Sequence, residues 1–184
     1  MRARDVDPAL VPDIGAMLLR PAEPADAMAV AIVHVRAWQV AYRDLLPADY
    51  LASLKPEERA ARYTFGESDP HKPMTTVAVD ETGVVRGFVT TCAARDQDLP
   101  GYGEVAAIHV DPKSWGQGVG KALLASARAH LLDSGFSRAL LWVLVGNVRA
   151  ERFYEQDGWT PDGTRKTDTV WGVQVNDQRY RRTL

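Results

Sequence analysis

Apolar positions change their period along this chain, and each change marks an element. Met17-Leu18-Leu19-Arg20-Pro21-Ala22 reads as a short first strand stopped by proline. Pro24 suits the first turn of a helix. From Asp26 onward Val30, Val33, Ala37 and Ala41 recur at helical spacing, with His34 and Trp38 beside them. After a break near Leu46-Pro47, Asp49-Tyr50-Leu51 starts a second short helix. Lys55-Pro56-Glu57-Glu58 starts a further turn or helix, and His71-Lys72-Pro73 ends this region. Thr75–Val79 is a strand, Asp80-Glu81-Thr82-Gly83 a hairpin turn, and Val84–Cys92 the returning strand. Ala94–Gly101 is a polar loop. Glu104–Pro112 reads as a strand ending at a turn, and Arg138–Val145 is a continuous apolar run of the kind expected for a buried strand. Helical patterns cover about Gly118–Ser134 and the stretch from Asn147 to Gly158. Trp159–Thr164 and Thr169–Arg179 form a last antiparallel pair.

Between the Glu104 strand and the next helix lies Ser114-Trp115-Gly116-Gln117-Gly118-Val119-Gly120-Lys121. Glycines permit positive φ and close backbone approach. Successive amides then form an anion nest, to which the helix start adds orphan N–H groups and the positive dipole end. This geometry suits a phosphate-bearing ligand. The dinucleotide fingerprint fails: from Gly116 its last glycine would fall on Lys121, and from Gly118 on Leu123. The Walker A loop fails as well, because Trp115 and Ala122 stand at its first and last positions.

What remains resembles the acyl-CoA pyrophosphate loop of the GCN5-related N-acetyltransferases, the GNAT family, written Q/R-x-x-G-x-G/A. Trp115 stands in the Q/R place, Gly118 and Gly120 in the glycine places, and Gly116 adds a third glycine. Trp115 departs from the pattern and puts more weight on backbone amides. Further on, Asn147-Val148-Arg149-Ala150-Glu151-Arg152-Phe153-Tyr154 followed by Gly158-Trp159 resembles the family's N-x-x-A-x-x-F-Y-x-x-x-G-F motif. Asn147 suits an N-cap and Gly158 a helix stop. The resemblance runs over roughly residues 15 to 184. It implies an α/β (α+β) GNAT fold, with about seven strands in a mixed, mostly antiparallel sheet, about four helices, and the order β-α-α-β-β-β-α-β-α-β-β. A single domain is expected over 16–184, after a mobile or loosely packed arm at 1–15.

The resemblance also implies acetyl transfer from acetyl-CoA to a primary amine by direct attack, releasing coenzyme A. Under it, the backbone of Ile108, His109 and Val110 and the run Trp115, Gly116, Gln117, Gly118, Val119, Gly120, Lys121 bind the cofactor, together with Asn147, Ala150 and Phe153. Ala150, Phe153 and Tyr154 share one helix face, and the first and last of these three have different tasks: Ala150 packs, whereas Tyr154 is the candidate acid toward the leaving thiolate. Glu104 is the candidate base, through a water. Strand alternation puts it with Ala106 and Ile108, unless a bulge, as relatives carry, shifts the parity. Trp38 and Tyr42, four apart on one helix face, either line an amine pocket or pack the helix onto the sheet. His109 reads as structural. His34, His71 and His130 lie apart without metal-ligand spacing, so no metal is implied.

Composition changes this picture little. The chain has 184 residues, a formal net charge of −2 and no basic stripe, so no nucleic-acid partner is expected. The single cysteine, Cys92, excludes an internal disulfide. No apolar run approaches a membrane span and residues 1–15 lack a signal-peptide core, so the expected setting is the cytoplasm, away from membranes. The acceptor is a small-molecule amine or an amino group of a peptide or protein, and a homodimer is compatible with the family. A GNAT-fold module that senses acyl-CoA without turning it over is the alternative.

Overall fold

In the computed structural model, which describes residues 17–66, 72–170 and 172–184, seven strands form one sheet in the order β1-β2-β3-β4-β5-β7-β6. The expected arm at 1–15, His71 and Trp171 lie outside the described residues. The strands are β1 (Leu18–Pro21), β2 (Met74–Val79), β3 (Val85–Ala93), β4 (Gly103–Val110), β5 (Arg138–Leu144), β6 (Thr160–Val170) and β7 (Val173–Thr183). The helices are α1 (Ala27–Ala41), α2 (Ala48–Ser53), α3 (Pro56–Ala60), α4 (Val119–Asp133) and α5 (Val148–Gln156). Strand pairs are antiparallel except β4–β5, as the mixed, mostly antiparallel expectation required. The described helices exceed the expected four because Pro56, at a first helical position, starts a short helix of its own. Strand β6 is longer than its sequence indicated, and β7 begins and ends four residues later than expected. Arg165-Lys166-Thr167-Asp168 in β6 is polar on both faces, as an edge strand can be, and so carries no alternation.

The sheet is covered on both faces. On one, Val30 and Val33 of α1 pack on Val77, Val79 and Phe88. On the other, Leu123, Leu124 and Leu131 of α4 pack on Val89, Val105, Leu141, Val143 and Trp159. A third cluster of Trp38, Leu46, Leu51 and Val175 ties α1 and α2 to β7. Close approach explains Gly103, where a β-carbon would meet Leu131 Cδ2 at 2.7 Å. Helix α5 closes with a Schellman turn: the Trp159 N–H donates to the Tyr154 carbonyl at 3.1 Å and the Gly158 N–H to the Glu155 carbonyl at 2.9 Å. Gly158 takes φ 83° there.

Two irregularities in β4 set up everything functional. The pairing with β3 runs Thr90↔Ala107 and then Thr91↔Val105, so Ala106 is an extra residue, a bulge. Gly103 and Val105 face α4 before it, and Ile108 and Val110 face α4 after it. The unbroken alternation that grouped Glu104 with Ala106 and Ile108 is therefore corrected: Glu104 shares the α1 face with Ala107 and His109. The second irregularity is that β4 and β5 pair only at Gly103↔Ala139 and Glu104↔Leu140 and then part.

Leu123 is fully buried between α4 and the sheet. Leu123→Ala is expected to lower stability by about 3 kcal/mol. Urea unfolding should report this as a lower midpoint with an unchanged m-value.

Candidate active site

Where β4 and β5 part, a cleft of about 530 Å³ opens, walled by Ile108, His109 and Val110 on one side and Trp142, Val143 and Leu144 on the other. The Asp111 N–H donates to the Arg86 carbonyl of β3 at 2.8 Å. Amides alternate sides along a strand, so the N–H groups of Val110 and Ile108 point the other way, into the gap. No ladder partner meets them there.

The glycine loop closes one end of the cleft. Asp111 holds its start, accepting from the Lys113 N–H at 3.0 Å and from Arg36 at 3.1 Å. The Trp115 indole N–H donates to the Val110 carbonyl at 2.9 Å, so the residue in the Q/R place locks the loop against β4. Gly116 and Gly118 adopt φ of 77° and 83°, the left-handed region that side chains resist. Gly118 is also the N-cap of α4 and has no side chain to cap with. The first amides of α4, at Val119, Gly120 and Lys121, are thus left for a ligand at the positive end of the helix dipole. Gly120 lets α5 approach: a β-carbon there would sit 3.4 Å from the Phe153 ring.

Across the loop, the Arg149 guanidinium lies 3.5 Å from the centre of the Trp115 ring and lines the cleft. Sequence reading missed Arg149. It is two residues past Asn147 and far from Trp115 in the chain, so nothing short of the fold signals the stack. With exposed Lys121 it gives the loop end of the cleft two cations. Asn147 caps α5 as expected, accepting from the Ala150 N–H at 3.2 Å, and also lines the cleft with Ala150 and Phe153.

Tyr154 of α5 and Tyr42, the C-cap of α1, reach the cleft from opposite faces of the sheet. Burial, with the nearby Tyr42 hydroxyl adding to it, pushes the Tyr154 pKa well above that of an ordinary tyrosine. Burial and the field of Asp177 push Tyr42 up to about 12. Both hydroxyls keep their protons at neutral pH. His109 lines the β4 wall, stacked on His34 at 4.4 Å between ring centroids, and burial brings its pKa down to about 3, so it is neutral.

Three expected site residues lie elsewhere. Glu104 is buried but off the cleft, its carboxylate accepting from Arg95 Nε at 3.1 Å, Arg95 Nη2 at 2.5 Å and the Arg95 backbone at 3.3 Å. It fastens the loop after β3 to β4. Sequence reading made Glu104 the candidate base through a water; the structure places it off the cleft and paired with Arg95. Trp38 packs with Leu46, Leu51 and Val175 and edges onto the Tyr42 ring at 4.9 Å, leaving Tyr42 to face the cleft. The Gln117 side chain turns back to the Lys113 carbonyl at 3.1 Å. The Cys92 thiol, beside Glu104 in the ladder, is pushed by burial to about 11 and stays protonated. Among the described residues no group of three His, Cys, Asp or Glu side chains could hold a metal ion, and no helix is long and apolar enough to cross a membrane.

Residues 38–159 match the family model described as the Acetyltransferase (GNAT) family. The chain belongs to the GNAT acetyltransferase family. An uncharacterized N-acetyltransferase of Bacillus subtilis (strain 168), YuaI, is 36% identical over 129 residues, which is 70% of this chain and 72% of that protein. The mycothiol acetyltransferase of Salinispora arenicola (strain CNS-205) is 38% identical over 104 residues, 56% of this chain but 31% of its own length. This chain thus spans less than a third of that relative. A GCN5-related N-acetyltransferase from Rhodopseudomonas palustris shares the fold with a TM-score of 0.70 at 19% identity, covering 92% of this chain and 97% of that one. The PaiA N-acetyltransferase from Thermoplasma acidophilum, solved with coenzyme A, does so at 0.67 and 16%, covering 92% and 100%. This GNAT protein is therefore an acyltransferase of the acetyl-CoA-using kind, and a purely sensing role is not favoured.

The lowered His109 pKa has a consequence for stability. Its folded-state value lies below the ordinary histidine value, so as pH falls the unfolded chain takes up the proton first. Stability should be flat above about pH 6.5 and fall by up to about 1.4 kcal/mol per pH unit for this group as pH drops toward 3. Denaturant midpoints of wild type and His109→Asn between about pH 6 and 4 should show the variant with the shallower decline.

Proposed function

We propose that the cleft holds acetyl-CoA with its pyrophosphate on the Gly116–Lys121 loop and the start of α4, its arm along the open edge of β4, and the acceptor amine entering beside Tyr42. The observation that carries this reading is the parting of β4 and β5 directly in front of a helix N-terminus that has no side-chain cap. Arg149 and Lys121 complement the phosphates. The carboxamide of Asn147 uses its oxygen on the helix cap and keeps its N–H groups for the cofactor arm.

Bound acetyl-CoA supplies a thioester, whose carbonyl carbon accepts the amine and whose sulfur leaves. The Val110 and Ile108 amides donate toward the carbonyl oxygen, as preorganised donors do best in a site shielded from water. Tyr154 carries its proton at Oη at neutral pH and delivers it to the departing sulfur. His109 is a neutral wall. Glu104 stays with Arg95; the acceptor ammonium loses one proton to water at the open side of the cleft before attack, and the proton the nitrogen releases after attack returns through water to Tyr154, which has protonated the sulfur. The acceptor class is an amine, of a small molecule or of a peptide or protein. A reducing, cytoplasmic setting fits a chain whose single cysteine is Cys92, and a second copy could pair at the sheet's outer strands.

Calorimetric titration should show acetyl-CoA binding and none of comparable strength for ATP. Gly118→Val forces a branched side chain into positive φ and should weaken binding about 5- to 150-fold, since such strain costs about 1–3 kcal/mol. Comparable ATP and acetyl-CoA affinities would overturn the cofactor assignment. Tyr154→Phe should lower kcat about a hundredfold with the acetyl-CoA Kd nearly unchanged. An unchanged kcat would remove Tyr154 from the chemistry.

A further inference from the structure

Asp177 is a half-buried carboxylate that the reaction scheme above does not use. It lies on β7 directly opposite Leu144, whose side chain lines the cleft. Paired residues of an antiparallel ladder share a face. Asp177 is therefore on the face that carries Trp142, Leu144 and Val175, over which Tyr42 packs with Leu144 and Val175. Its field reaches the Tyr42 hydroxyl, and Tyr42 in turn lines the cleft.

The cations around Asp177 also have other partners. Its cross-strand neighbour Lys166 reaches to Asp168 at 3.8 Å and lies 4.2 Å over the Trp142 ring. Arg179, two residues along on the same face, is held by Asp98 and Asp162, each at 2.8 Å, and by Asp96 at 3.4 Å. Asp168 adds a second negative charge near Asp177. Burial raises the Asp177 pKa and outweighs the opposing pull of the Lys166 charge across the strand. A group in that condition gains most from an incoming ammonium.

We propose that Asp177, with Tyr42, forms the subsite that receives the acceptor's ammonium group, so that the substrates are alkyl amines arriving as cations and not neutral arylamines or alcohols. The inference rests on the acetyl-transfer reading for its place in the reaction, but the binding itself can be tested apart from it. Carboxyl-carbon NMR of the full chain, with the Asp177 signal assigned by its loss in Asp177→Asn, is titrated with n-butylammonium and with 1-butanol as the neutral probe. The Asp177 signal should move with butylammonium and not with butanol. Asp177→Asn should weaken butylammonium binding about tenfold and Asp177→Glu should restore part of it. Coenzyme A affinity, measured in parallel, should stay the same in both variants. An Asp177 signal indifferent to butylammonium, or equally moved by butanol, overturns the subsite. Failure of coenzyme A to bind wild type, with the ammonium response intact, would instead overturn the acetyl-transfer reading and leave the cation subsite standing.

Discussion

The parting of β4 and β5 is the constraint on which the site depends. A sheet interior normally satisfies every amide through its ladder, and leaving one buried and unpaired costs about 1–3 kcal/mol. Here the ladder stops after Gly103↔Ala139 and Glu104↔Leu140, so the amides of Ile108 and Val110 must find water or a ligand. The protein keeps the gap open by committing its neighbours to other partners. Leu144 and Trp142 pair onward to β7, Trp115 fastens one carbonyl of β4, and α4 and α5 brace the mouth from the same side through Gly120 and Phe153. An opening of this kind, inside a sheet and not at its rim, is stable only because both flanking strands are held on their far sides.

Electrostatics inside the opening follow from the same arrangement. The loop end is positive, through the uncapped start of α4, Lys121 and Arg149. The middle is neutral, lined by protonated tyrosines and an uncharged His109. On the α1–β7 side, next to Tyr42, Asp177 adds a negative charge that Lys166 partly offsets. A ligand with phosphates at one end and a reaction with a cationic amine at the other matches this gradient. The buried arginine Arg179, ringed by Asp96, Asp98 and Asp162, steadies the α1–β7 side by tying the loop after β3 to β5, β6 and β7.

Much of the fold was legible because periodicity and punctuation agreed. The apolar run of β5, the glycine stop of α5 and the Asp80 turn could each be read from a few adjacent residues. The glycine-loop end of the cleft was legible for the same reason: glycine positions, an N-cap asparagine and a helix face are all local. Glu104, Trp38 and Arg149 were not. Whether Glu104 meets the cleft depends on one inserted residue, Ala106, and on Arg95 across the loop. Whether Trp38 lines a pocket or fills a core depends on Leu51 and Val175, which are distant in the chain. The Arg149–Trp115 stack joins two motifs that the sequence shows side by side but never in contact.

The bulge at Ala106 also bears on how such a protein can change over time. Because side chains alternate in twos, loss of that one residue would exchange the two faces of β4 on one side of the deletion. Either Gly103 would lose its clearance under Leu131 or His109 would trade places with Val110 beneath the loop. Substitutions in β4 can therefore accumulate one by one, whereas a single-residue deletion there rewrites core and cleft together. Change that spares the core is left to connections that can lengthen or shorten, such as the one between α1 and α2 that begins at Tyr42.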